Sequence, residues 1–151
     1  MVSVLNNLKE LQIKKHVATE PLHLEAAFDY AHIRTKLTPK DQRDERHLFF
    51  LKRIKEDFSP SDDPISQEYY TALQQNPEQN HIFQLYMRLV DAEILQLEGK
   101  LAVENQNIEA AQEYVFKAGR LLEEIKSDKM ATAFIKMQAK ELKNSLDEMG
   151  I

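Results

Sequence analysis

The chain of 151 residues has no cysteine, no tryptophan and only three glycines. Without cysteine there is no disulfide framework, no thiol nucleophile and no cysteine-ligated zinc site, and the redox compartment stays open because any compartment accepts such a chain. Gly99, Gly119 and Gly150 are too few and too scattered to build a phosphate-cradling loop, a dinucleotide-binding turn or a nucleophile elbow. Long hydrophobic runs are missing too. No stretch approaches the ~18 apolar residues of a membrane span, and the opening run MVSVLNNLKE has no basic start followed by an apolar core. The expected protein is cytoplasmic and meets no membrane. Charge of one sign is not concentrated either: the formal net charge is −5, with acids and bases interspersed through both halves. A weak field of mixed sign disfavours nonspecific binding to nucleic acid or anionic lipid.

What is present is hydrophobic residue at helical spacing, 42% of the chain, enough for one core at this length. The five prolines all lie in the first 77 residues, where helix starts and stops are expected. Thr38-Pro39 and Asp63-Pro64 look like a cap plus a first-turn proline, and Glu20-Pro21 after Thr19 is similar. The reading is four shorter helices near 3–16, 20–37, 39–57 and 64–75, with a loop over 58–63. Beyond residue 77 proline is absent and the apolar residues recur by alternating threes and fours. Phe83, Met87, Val90, Ile94, Leu97 and Leu101 mark a helix over 80–104, Ile108 to Ile125 a second behind Asn107 as its cap, and Ile135 to Met149 a third. No strand alternation or hairpin turn appears. The expected fold is all-α, about seven antiparallel helices in a single domain over 1–151, with the helices 20–37 and 80–104 central because each is apolar on more than one face. On the first of these, Ile33 and Leu37 belong to the apolar seam, and Glu25, Asp29, His32 and Lys36 form the solvated strip.

From Ala92 to Glu124 the chain resembles a tetratricopeptide-type helix pair. Gly99 stands where that family has a small residue admitting the partner helix, the turn and paired alanines are matched around Asn105–Ala111, and Ala118 follows. Residues 68–77, Glu68 through Pro77, resemble the second helix of another such unit with its terminating proline. Departures from the pattern are Glu98 and Ala102, which replace a leucine and an aromatic. The resemblance implies a repeat-like array that binds segments of other proteins.

Three carboxylate–histidine pairs at i, i+3 occur early: Glu20/His23, Asp29/His32 and Asp44/His47. Carboxylate-bridged metal sites in helical bundles use such pairs, but they also need core-facing acids from other helices. On the helix 80–104, Asp91, Glu93 and Glu98 fall beside the apolar seam, so no metal ligand and no cofactor is assigned. The serines and histidines show no activated-hydroxyl motif, and no catalytic residue is assigned. Surfaces are more informative. If Phe50, Leu51, Ile54 and Phe58 form the buried face of the helix 39–57, Phe49 points outward with Arg46, Lys52 and Arg53 around it. Phe116 likewise lies opposite its helix's core stripe, and Met130, Phe134 and Met137 form a second ridge on the last helix, where methionine suits adaptable surfaces or a homodimer seam. These eight residues are the candidate partner contacts. The function expected is a noncatalytic protein–protein interaction module, an adaptor or chaperone-like binder of a partner's helix or extended segment, with no small-molecule substrate evident. The alternatives are a small helical metalloprotein or hydrolase using the N-terminal histidines and acids, and a helical DNA-binding regulator. For the last, Arg43, Arg46, Lys52, Arg53 and Lys55 are diluted by Asp44, Glu45, Glu56 and Asp57.

Overall fold

Three helix starts in this chain are set by side chains that accept the first free N–H groups. In the computed structural model, which describes residues 32–34, 36–58 and 64–151, a 3-10 turn at Lys40–Gln42 leads into α1 (Arg43–Asp57), α2 (Pro64–Gln74), α3 (Pro77–Glu104), α4 (Ile108–Ser127) and α5 (Ala133–Glu148). Residues 32–34 and 36 are also helical, and no strand occurs among the described residues. The all-α class therefore holds. The count of seven rests on helices at 3–16 and 20–37, which lie outside the described residues except at the end of the second.

Asn107 caps α4 as its sequence position suggests, its Oδ1 accepting from the Ala110 N–H at 3.2 Å. Thr132 caps α5 through the Ile135 N–H at 3.3 Å. Two starts differ from expectation. Thr38 does not cap the helix after it: its hydroxyl donates back to the Arg34 carbonyl at 2.9 Å, so it closes the preceding turn, and α1 begins only at Arg43. Pro77 opens α3 at its first position, behind Asn76, whose Oδ1 accepts from the Gln79 N–H at 3.3 Å. α3 thus starts three residues before the apolar stripe suggests.

α3, 28 residues and about 42 Å long at 1.5 Å per residue, is the central helix. α1, α2, α4 and α5 all pack on it. Its Leu85 and Leu89 are wholly buried, with Phe83, Tyr86, Val90, Ala92 and Leu97 nearly so. α1 contributes Phe50, Leu51, Ile54 and Phe58, the face expected of it. α4 returns along α3 after a short turn, burying Ala111, Ala118, Leu122 and Ile125, and α5 adds Ile135, Ala139, Leu142 and Leu146. Ile108, the first member of the α4 stripe, is exposed. The turn closes with paired bonds, Gln106 N–H to Val103 and Asn107 N–H to Ala102, with Gln106 at φ 61. That is the Schellman geometry, with glutamine where glycine is usual. At the far end Asp128 joins the α4–α5 loop to the start of α3, accepting from the Met130 N–H at 2.8 Å and meeting His81 Nε2 at 2.7 Å. The Met130 N–H, then His81, hold its carboxyl below the ordinary value.

The two helical glycines differ. Gly99 does face neighbouring helices, but a Cβ there would meet Met149, Val115 and Tyr114 at 3.4–3.6 Å, close to ordinary contact. Close approach therefore does not strictly require a glycine. At Gly119 a Cβ would meet nothing within 4 Å. Gly119→Ala is accordingly expected to stabilise the protein by about 0.5–1 kcal/mol, the helix-propensity difference, read as a higher urea midpoint at unchanged slope.

Candidate metal centre

Glu93 sits on α3 with Leu89 and Val90 one turn before it and Leu97 one turn after, all buried. A carboxylate so flanked at i±3 and i±4 is carried into the interior by the helix that bears it. Glu93 is 5% exposed, which overturns the expectation that the acids of this helix lie beside the core. The other two do lie to the side, and both are neutralised by α1: Asp91 by Lys55 at 2.6 Å and Glu98 by Lys52 at 3.3 Å.

Opposite Glu93, α1 presents His47, 8% exposed. His47, Leu51, Ile54 and Phe58 stand at i, i+4, i+7 and i+11, one continuous buried row, so His47 is that row's first member. The helical stretch before the 3-10 turn supplies His32. At the described end of that helix the expected faces are exchanged: His32 of the polar strip turns inward to Glu93, while Ile33 and Leu37 of the apolar seam are 57% and 73% exposed. The physical reason is that a buried carboxylate needs a hydrogen-bonding partner more than an apolar seam needs cover.

His32 Nε2 and Glu93 Oε1 are hydrogen-bonded at 2.8 Å, and His47 Nε2 lies 3.2 Å from the same oxygen. The second approach lacks hydrogen-bond geometry. His47 Nε2 and Glu93 Oε2 are both buried without a hydrogen-bond partner. The imidazoles meet edge to face, with ring centroids 4.8 Å apart. Burial pushes the His47 imidazole below its ordinary value, against the raising effect of the Glu93 charge. At neutral pH His47 is therefore the uncharged base, the form that coordinates metals.

One donor atom from each of His32, His47 and Glu93 lies within 4.8 Å of the other two. Four ligands held at ~2.0–2.1 Å around a tetrahedral ion are about 3.3 Å from one another. The two approaches, 2.8 and 3.2 Å, fall just below that spacing, and all three donor atoms lie within 4.8 Å of one another. A cleft of about 480 Å³ opens beside the three, with Arg43, Asp44, Gln96 and Lys100 in its walls.

Of the three early carboxylate–histidine pairs, Glu20/His23 and Asp29 lie outside the described residues. Asp44/His47 divides its roles, His47 entering the cluster and Asp44 the cleft wall. The candidate partner contacts are spread over the surface. Arg46 and Phe49 are exposed, but Lys52 is paired with Glu98, and Arg53 with Glu56 at 3.4 Å. Phe116 is exposed, with the Arg120 guanidinium 6.0 Å from its ring centre. The methionine ridge splits: Met130 and Met137 are exposed, whereas Phe134 packs on the core beside Tyr86. No family model, curated protein or solved structure matches the chain.

Proposed function

We propose that this chain is a helical metalloprotein that binds one divalent transition-metal ion of the zinc class through His32, His47 and Glu93. The observation that supports it is the convergence of two imidazoles on a buried carboxylate whose second oxygen has no partner. Leaving that oxygen and the His47 nitrogen unpaired costs about 1–3 kcal/mol each, which a purely structural cluster would avoid with an apolar trio. Two histidines and one carboxylate are the donor set of open catalytic zinc sites and of non-haem iron sites. Three protein donors leave the remaining coordination positions to the cleft. Such an ion activates bound water, so hydrolysis is the reaction class this arrangement suits.

The test is a titration of untagged, chelator-treated protein with Co²⁺ and with Zn²⁺. The expected result is one equivalent of Co²⁺ giving the intense visible bands of a low-symmetry site, displaced by one equivalent of Zn²⁺. Absence of stoichiometric binding, or binding that survives loss of both His47 and Glu93, rejects the reading.

A second reading, the protein-interaction module, is supported by the exposed rings of Phe49 and Phe116, 53% and 66% accessible on separate helices. Aromatic residues left in water without a core to join are frequent anchors for a partner.

A further inference from the structure

Between α4 and α5, away from the metal cluster, runs a groove of about 380 Å³. Its floor is Leu122 and Ala139, and around them stand Lys126, Lys136, Lys140 and Lys143, with Glu123 the one acid in the lining. Lys143 is paired with Asp147 at 3.2 Å, but Lys126, Lys136 and Lys140 make no ion pair among the described residues. In a chain with more acids than bases, this is a local reversal of sign.

The arrangement opposes helix stability. Lys136 and Lys140 are like charges at i, i+4, and Lys140 and Lys143 at i, i+3. Lys136 also stands in the opening turn of α5, which contains no acid, at the positive end of the helix dipole. An acid at position 136 or 140 would relieve these conflicts, so helix stability accounts for Lys126, in the last turn of α4, and for Lys143, paired with Asp147, but not for Lys136 and Lys140. On α4 Phe116, Gly119, Glu123 and Lys126 fall at i, i+3, i+7 and i+10 along one side of the helix, and a side chain at Gly119 would meet open space. An exposed aromatic ring therefore lies about two turns along from Glu123 and nearly three from Lys126, past a position with no side chain to obstruct it.

We propose that this groove docks an acidic segment of a partner protein, one apolar side chain seated on Leu122 and Ala139, flanking carboxylates on the lysines, and the segment running on toward Phe116. Charge complementarity chooses an anionic occupant, and the apolar floor chooses one with a hydrophobic anchor, which a phosphate backbone lacks. The volume admits a few side chains and no more. The inference is independent of the metal centre. It rests on the protein-interaction reading only in taking the occupant to be polypeptide.

The probe is a fluorescein-labelled peptide with one leucine flanked by glutamates at three and four residues on either side, followed by anisotropy. The expected result is binding that weakens with added salt, falls about tenfold or more in the Lys136→Gln/Lys140→Gln variant, and falls similarly when the peptide leucine becomes serine. The variant relieves repulsion and is expected to melt no lower than the wild type, so a loss of binding does not report unfolding. Unchanged affinity in the variant, or equal affinity for the serine peptide, overturns the groove. Tighter binding to duplex DNA or to phosphatidylserine vesicles overturns the choice of a polypeptide, and a wild-type dimer dissociated by the two substitutions replaces the partner with a second copy. If the peptide binds but is lost on Phe49→Ala alone, the groove falls and the interaction reading stands. If no peptide binds at all, the groove falls.

Discussion

Glu93→Gln is expected to lower zinc affinity by more than about 100-fold while leaving the metal-free protein at least as stable as the wild type. The first half follows from charge. Glutamine keeps an oxygen for His32 but removes the only buried acid of the cluster, and losses of mere second-shell partners already cost 10–100-fold. The second half follows from desolvation: the buried carboxylate, with an unpartnered oxygen, is more expensive to keep from water than the amide that replaces it. Zinc at a hundred times its dissociation constant should add about 2.7 kcal/mol to the wild type, a rise of about 5–11 °C in melting temperature, and nothing measurable to the variant. Thermal melts with and without zinc read both halves. A variant that still gains several degrees shows that the ion is held elsewhere. A metal-free variant that melts well below the wild type shows that the cluster is present for stability.

That same carboxylate marks where sequence reading stops. Periodicity places the three long helices of the second half, the first of them three residues late, and names the buried faces of α1, α3 and α5, because apolar residues at threes and fours have only one way to leave water. It failed at Glu93 and His32 for one reason, whereas at Thr38 the difference is local, the hydroxyl donating to the carbonyl four residues back rather than accepting an N–H ahead of it. Periodicity sends a polar residue outward by its type, whereas a polar residue can be buried when another segment supplies its partner. His32 is 61 residues from Glu93, and no local pattern connects them. A signal existed at His47, in phase with Leu51, Ile54 and Phe58, and at Glu93, hemmed by Leu89 and Val90 before it and Leu97 after it. Each alone resembles an ordinary interruption of a stripe. Only together, across the α1–α3 contact, do they become a site. The start of α3 is a different case: Pro77 resembles the terminator of the helix before it, yet proline after asparagine more strongly opens a helix, the asparagine side chain accepting an N–H of the first turn.

Because His47 and Glu93 come from different helices, the centre depends on how α1 is held on α3, and Phe58 tests that dependence. Phe58 is fully buried at the end of α1, lining a hollow with Tyr70, Phe83 and Met87. Phe58→Ala is expected to destabilise the metal-free protein by about 3–5 kcal/mol, through lost transfer energy and the cavity left behind. Eleven residues of helix, about 16 Å, separate it from His47, and sites this far apart with no shared partner usually add independently. Zinc should therefore raise the stability of the variant by the same increment as the wild type, since coordination pins α1 to α3 at its other end. Urea unfolding at several zinc concentrations measures both terms. A zinc increment much smaller in Phe58→Ala than in the wild type would mean that α1 moves as one lever and that the geometry at His47 is set from Phe58. An equal increment would mean that the first turns of α1 are positioned locally, by Leu51 and Ile54 against α3, and that the site survives loosening of the helix that carries it.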